Sequence, residues 1–289
     1  VSLQVLWSPQ PIEALTPASS APAAPMPCAV PRVVDDATAV VALASLPPDT
    51  VLLVPAQGRP AVVPLLQRAR KLLGRPDLAL VVRRSPLTRL SLGAALVRGS
   101  GLFAPAELPA ALDKVTASLR TTALLDGVGG LEQPVPSIGQ HAQGWLPKTR
   151  FLVDVDAGTV RRAPARRKGV AATSTAGTAV VSASPAAPAG WFDELVAMVG
   201  PSHVDRLTAT DGPEGSFWGT DRWAEATVLR RPAGDVLREV RDGLACAPCP
   251  SCRRSAAGPD CVFCGVGLRG ADAPAGVAVA GPDPTRLAG

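Results

Sequence analysis

Two cysteine pairs constrain this chain more than any other feature. Cys249-Pro-Ser-Cys252 and Cys261-Val-Phe-Cys264 share the Cys-x-x-Cys spacing, with eight residues between the pairs. A two-residue gap lets a tight turn aim both thiolates at one point, and a short hairpin would bring the two pairs together. Four thiolates in a tetrahedron suit Zn²⁺, with metal–sulfur bonds of about 2.3 Å. Four protein ligands leave no open coordination position, so the expected ion is structural and not catalytic. A knuckle this small has almost no core of its own, and the metal would supply its folding free energy. A disulfide pair, a redox Cys-x-x-Cys and an iron site are the alternatives for the same spacing. Five of the six cysteines fall between positions 246 and 264. That clustering suits a metal site in a reducing compartment better than a disulfide framework. Cys246 is read as a spare thiol able to exchange with Cys249, and Cys28 stands alone in a proline-rich stretch.

A length of 289 residues suggests about two domains. Apolar residues make up 47% and charged ones 18%, which excludes a highly charged disordered chain. Aromatics are only 3%, so the cores should be built from alanine, valine and leucine. The net charge of +5 is compatible with a polyanionic partner, although arginine bias alone would produce it. No apolar run reaches the ~18–20 residues of a membrane span. Val1–Trp7 is too short, and lacks the basic start, for a signal peptide. A cytoplasmic protein without membrane contact is expected.

Residues 1–119 alternate strand-like and helix-like segments. Leu3–Trp7, Pro31–Val34, Thr50–Val54, Leu78–Val82 and Gly101–Phe103 read as strands, the third and fourth as continuous apolar runs typical of burial on both faces. Asp35 and Asp36 can cap a helix over Ala37–Leu46. Ala61–Leu73 is amphipathic, with Val62, Leu65, Leu66, Ala69, Leu72 and Leu73 inward, and Gly74 ends it. Leu87–Val97 and Ala106–Leu119 are further periodic stretches. The expected N-terminal fold is therefore an α/β domain with a doubly wound parallel sheet. Residues 120–143, with Gly127, Gly129, Gly130, Pro134 and Pro136, read as a linker. A smaller α+β domain follows over 144–245, interrupted by a low-complexity mobile loop at 163–190. It contains a helix at Trp191–Val199 and a hairpin of Val204–Thr210 with Ser216–Leu229 around Asp211-Gly-Pro-Glu-Gly215. Trp191, Trp218 and Trp223 would anchor its core. A metal-bound segment at 246–268 and a disordered tail at 269–289 complete the chain.

The element order of 1–119, with Pro31-Arg-Val-Val34, Asp49-Thr-Val-Leu-Leu-Val54 and Gly101-Leu-Phe-Ala-Pro105, resembles the response-regulator receiver domain, a flavodoxin-like fold. That family transfers a phosphoryl group to an aspartate with Mg²⁺ held by acids, and a lysine contacts the phosphoryl group. Here the strand ends read Trp7-Ser-Pro9, Val54-Pro55, Arg83-Arg-Ser85 and Ala104-Pro105. Valine and alanine can neither hold Mg²⁺ nor accept a phosphoryl group. The resemblance therefore implies a pseudo-receiver, a regulatory or scaffold module that docks a protein partner without phosphorylation. Cys-Pro-x-Cys with Phe-Cys-Gly is similar to the short zinc-ribbon family, with Cys249, Cys252, Cys261 and Cys264 as ligands.

Two alternatives stay open. Arg161, Arg162, Arg166 and Arg167 form a basic run that could contact phosphates, which with the ribbon would make a nucleic-acid-associated regulator. An enzyme with a site at the carboxyl edge of the N-terminal sheet, near Pro55–Arg59 and Arg83–Ser85, is the other. No catalytic residue is assigned and no small-molecule substrate is identified. His141 and His203 belong to no motif, and Asp156 and Asp211 sit in turn-like contexts. The absence of Gly-x-Gly-x-x-Gly and of the P-loop pattern argues against the common nucleotide-binding enzymes.

Overall fold

A computed structural model describes residues 4–7, 35–55, 62–144, 149–163, 175–208 and 217–268. The expected strand Pro31–Val34, the segment around Cys28, the turn at 211–215 and the tail beyond 268 lie outside these residues. Helix α1, Asp36–Ala44, starts where the sequence provides a cap. The Asp35 carboxylate accepts the Thr38 amide at 2.8 Å, and the Thr38 hydroxyl accepts the Asp35 amide at 3.1 Å. β2, Thr50–Pro55, and β3, Leu78–Arg83, pair in parallel. α2, Val62–Leu72, connects them. Val62, Leu66 and Ala69 are buried, but Leu72, expected inward, is 75% exposed on the last turn.

Strand direction overturns the receiver reading. β1, Gln4–Trp7, runs antiparallel to β2, and among the described residues the first sheet has three strands, in the order β1-β2-β3. An antiparallel first strand has its carboxyl end at the opposite edge from those of β2 and β3, so a receiver's acidic pocket could not assemble. Residues 101–103, expected to be the fifth strand, form none. They lead instead into a 3₁₀ turn, Pro105–Glu107, and α4, Leu108–Ala117. The segment expected to be a linker supplies β4, Arg120–Leu125, and α5, Ile138–Gly144. β4 lies inside a second, mixed sheet with β5 (Phe151–Asp154), β6 (Thr159–Arg162), β7 (Thr175–Ala183), β8 (Pro201–Thr208) and β9 (Trp223–Leu229). Its order is β6-β5-β4-β9-β7-β8, antiparallel throughout except for the β7–β8 pair.

The expected hairpin of β8 with β9 does not form, because β7 lies between them. β7 comes from the Ala/Thr/Ser segment expected to be a mobile loop. Its Ala179, Val181 and Ser182 are buried, so small side chains fill a crowded sheet centre where a periodicity reading saw low complexity. α6, Trp191–Val199, covers this face with Trp191 and Leu195.

The layers stack α–β–α–β–α. Leu52, Val54 and Leu78 of the first sheet pack under α1 and α2. Val51, Leu53, Ala79 and Val81 face the other way, toward α3 (Leu87–Ser100), α4 and α7 (Ala233–Asp242). The same middle layer meets the second sheet through Val180 and Leu229. α3 is therefore covered on both sides, which explains why its buried Leu90, Leu92, Gly93, Ala94 and Val97 do not form a single stripe. The turns after β4 and before β9 cross where Gly130 meets Gly219. Gly219 has φ +63°, and a Cβ there would land on the Gly130 carbonyl group. Gly219→Ala is expected to cost about 3 kcal/mol or more, as backbone strain and overpacking add. Chemical denaturation would measure it, and an unchanged midpoint would refute the close crossing.

Candidate functional site: a four-cysteine centre and an arginine-lined pocket

After α7 the chain enters two knuckles built alike. In the first, the Arg253 amide donates to the Cys249 carbonyl at 2.9 Å, and Arg253 has φ +61°. In the second, the Gly265 amide donates to the Cys261 carbonyl at 2.7 Å, and Gly265 has φ +71°. The Cys249 amide donates to Arg254 and the Cys261 amide to Val266, both at 2.9 Å. Strands β10 (Cys246–Pro248) and β11 (Ser255–Ala257) pair antiparallel and fix the first knuckle's frame.

The Sγ atoms of Cys249, Cys252, Cys261 and Cys264 all lie within 4.8 Å of one another. Cys249 and Cys264 approach to 3.4 Å, and Cys252 and Cys261 to 3.6 Å. A tetrahedral ion with bonds of ~2.3 Å has sulfur–sulfur edges of ~3.8 Å. The set therefore has the dimensions of a Cys₄ metal centre, whereas a disulfide needs ~2.05 Å. Hydrogen bonds from the Cys252 and Ser251 amides hold the Cys249 thiol below its ordinary pKa, while burial pushes Cys261 up. Four adjacent thiolates need a cation to balance them, and a divalent metal could supply it. Cys246 is exposed and outside this set. Its thiol points at the Leu244 carbonyl, 3.5 Å away.

This ribbon is not a free appendage. Cys249, Ala256, Cys261 and Phe263 share the middle-layer core with Val51 and Leu53. Arg254 pairs with Asp49 at 2.6 Å and lies over the Phe263 ring at 4.5 Å, and Arg70 donates to the Phe263 carbonyl. Glu107, buried with its side chain 3% exposed, accepts from Ser255, from the Ala104 amide at 2.9 Å and from Arg241 at 2.8 Å. Burial pushes its carboxyl up, but Ser255, the Ala104 amide and Arg241 outweigh that and hold it below the ordinary value. Sequence reasoning passed over Glu107, because nothing in Pro105-Ala-Glu107 shows that three distant segments converge on it.

The second feature lies where β3 turns into α3. Arg83-Arg84-Ser85-Pro86 and Arg89 border a pocket of about 350 Å³ whose other walls include Leu112, Val155 and Phe217. Arg83 grips Asp113 with two hydrogen bonds of 2.7 and 2.8 Å. Arg89 pairs with Asp156 at 2.8 Å and donates to the Thr116 carbonyl at 2.7 Å. Arg84 pairs with Glu132. Beneath the pocket floor, α3 begins at Pro86 with no side-chain cap of its own. Glu225 of β9 provides one, accepting the Thr88 amide at 2.7 Å and the Trp218 indole N–H at 2.6 Å. The hydroxyls of Thr88, Thr227 and Thr121 continue the network at 2.8 and 2.9 Å. Burial raises the Glu225 pKa to about 7.

Other expected sites are dispersed. Arg161 and Arg162 lie on the edge strand β6, and Arg166 and Arg167 fall outside the described residues. Among the described residues, the ribbon's Arg254 is committed to Asp49 and Phe263, and Arg241 of α7 to Glu107, so neither joins Arg161 and Arg162 in one basic face. This corrects the nucleic-acid reading. No small-molecule substrate is identified from the sequence, and the structure places a cavity of small-molecule size where β3 turns into α3. At the sheet edge named for the enzyme alternative, Asp113 is tied to Arg83, and residues 56–59 lie outside the described residues. Asp154 and Asp156 serve a turn, Asp154 accepting the Asp156 and Ala157 amides at 3.1 and 2.9 Å. His203 sits 3.3 Å from Asp205 on β8, and His141 lies in α5. Among the described residues, no helix is long and apolar enough to cross a membrane.

No protein-family model and no curated protein matches the chain. Solved structures with some likeness include a DegV family protein from Eubacterium eligens loaded with heptadecanoic acid. It is 12% identical, covering 68% of this chain and 78% of that one, with a TM-score of 0.42. A DegV lipid-binding protein from Thermotoga maritima is 14% identical, covering 69% and 77%, with a TM-score of 0.40. A DegV family protein from Thermus thermophilus, described by its fatty acid binding, is 15% identical, covering 68% and 77%, with a TM-score of 0.37. These are distant likenesses of outline, and their ligands are stated of those proteins alone. The expected regulatory role and protein partner fall with the receiver reading on which they rested.

Proposed function

We propose that this chain is a non-enzymatic binding protein whose C-terminal ribbon holds one structural Zn²⁺ through Cys249, Cys252, Cys261 and Cys264. The observation that carries this is the mutual approach of the four sulfur atoms within 4.8 Å, the size of a tetrahedral thiolate site. Four protein ligands leave no place for substrate, so the ion acts by holding shape. It closes the two knuckles over Phe263 and so presses the ribbon onto α2, the 3₁₀ turn and α7. The zinc acts as a clamp on the middle layer, joining the end of the described chain to its beginning. Five described cysteines, none in a disulfide, suit the reducing cytoplasm.

Elemental analysis of the purified chain should find one zinc per molecule, released in step with titration of four thiols by a mercurial reagent. A Cys246→Ser variant should keep the full zinc content, and a Cys264→Ser variant should lose it. Zinc-free wild-type protein with four slowly reacting thiols, or full zinc in Cys264→Ser, would overturn the assignment.

A further inference from the structure

The four sulfur ligands are not equally shielded. Cys249 and Cys261 are 1% and 0% exposed and Cys252 is half-buried, while Cys264 is exposed. Gly265 follows Cys264 at φ +71°, and a Cβ built there would meet nothing within 4 Å, so approach from that side is open. Arg254, itself fixed on Asp49 and Phe263, hydrogen-bonds the Cys252 sulfur and leaves Cys264 as the ligand facing solvent. Resting on the zinc reading above, we propose that Cys264 is a modification site, a metal-bound thiolate that reacts with a small peroxide and closes a disulfide with Cys249. The thiolate is the nucleophile of cysteine chemistry, and coordination keeps a cysteine deprotonated. Cys246 is the other exposed cysteine among the described residues. Partial burial and the Glu107 carboxylate beside it push its thiol up, so it stays protonated and less reactive.

The chemistry runs in two steps. The Cys264 sulfur attacks one oxygen of hydrogen peroxide, the O–O bond breaks, and hydroxide leaves with its electron pair. Cys264 loses two electrons and becomes a sulfenic acid, and the peroxide is reduced. The Cys249 sulfur lies 3.4 Å away on the other knuckle and is shielded from solvent, so it meets the sulfenic acid and not the peroxide. It attacks the Cys264 sulfur, the S–O bond breaks, and a second hydroxide leaves. Two thiolates and one hydrogen peroxide thus give one disulfide and two hydroxide ions, which solvent protonates to water. Drawing these sulfurs from 3.4 Å to the ~2.05 Å of a disulfide collapses the tetrahedron. Cys252 and Cys261 are then the only ligands left, and two thiolates hold zinc poorly. The new bond joins the two knuckles as the metal did. Cys252 and Cys261, 3.6 Å apart, stay within reach of each other, so a thiol reductant restores the site.

Treatment of the full chain, as purified with its zinc, with hydrogen peroxide tests this, with metal release followed by a chromogenic chelator. One equivalent of peroxide should release the zinc and lower the mass by about 2 Da, the loss of two hydrogens on forming one disulfide. Peptide mapping should find a Cys249–Cys264 cross-link, and dimedone added early should trap the sulfenic acid on Cys264. Cys246→Ser should release zinc at the wild-type rate. Dithiothreitol with added zinc should restore the starting mass and metal content. A chain that keeps its zinc under excess peroxide, a first dimedone adduct on another cysteine, or a Cys261–Cys264 cross-link in place of Cys249–Cys264 overturns the proposal and leaves the zinc reading standing. A chain that carries no zinc before peroxide is added overturns both.

Discussion

Cys252→Ser should lower the unfolding free energy of the whole chain by more than about 3 kcal/mol, and not merely loosen its C-terminal segment. With one thiolate gone, the remaining three hold zinc poorly, and the two knuckles lose the bond that closes them. Phe263 would then leave the middle-layer core, where it is 2% exposed. Burial of such a ring alone is worth about 2–3 kcal/mol. Glu107 would also lose its contact with Ser255 and remain buried with fewer partners, which adds a desolvation cost. Urea unfolding followed by tryptophan fluorescence in a Trp7→Phe, Trp145→Phe background reports on the second sheet, because the remaining Trp191, Trp218 and Trp223 lie in it or against it. A parallel downward shift of that signal in Cys252→Ser, and in wild type stripped by a chelator, is expected. An unchanged tryptophan transition would mean that the ribbon is a passenger and the clamp role is wrong.

The second large effect concerns pH. Glu225 has a folded pKa near 7 because burial disfavours its charged form, against the ordinary 4.5 in the unfolded chain. The folded state therefore binds its proton more tightly. The associated stability is fully present below about pH 4.5 and is lost as pH rises through 7. A shift from 4.5 to 7 corresponds to about 3 kcal/mol. Wild type should thus lose roughly that much between pH 5 and pH 8.5 relative to Glu225→Gln, which carries no titrating group. Glu225→Ala should be worse than either at every pH, by about 3 kcal/mol or more. It strips the Thr88 amide and the Trp218 indole of their acceptor and leaves a cavity. Denaturation curves of the three proteins at several pH values give the answer. If wild type and Glu225→Gln keep a constant difference across this range, the carboxyl is not the buried titrating group described here.

What the sequence reveals and hides follows from the range of the interactions involved. The α1 cap is written in Asp35 and Thr38, three residues apart, and the structure contains it. The burial of β2 on both faces is written in its unbroken apolar run, since Val51 and Leu53 enter one core and Leu52 and Val54 another. The four cysteines that gather are the two spaced pairs, without Cys246, because a two-residue gap is a local turn requirement. Strand direction is a different matter. A helix–strand alternation reads the same whether the next strand joins the existing sheet or starts another. The antiparallel β1 and the departure of β4 into the second sheet were therefore invisible.

β7 was hidden for a related reason. Its alanines, threonines and serines have little apolar periodicity, and only the pressure of β8, β9 and α6 around them makes small residues the fitting choice. Glu107 and Glu225 complete the contrast. Each is a single acid in an unremarkable segment, yet their buried partners lie as far as 148 and 137 residues away. The chain's own order determined its caps, its buried strands and the pairing of its clustered cysteines, which depend on neighbours a few residues apart. Tertiary structure alone decided sheet membership, the buried acids and the pocket, because those depend on free energies that exist only once distant segments share a low-dielectric interior.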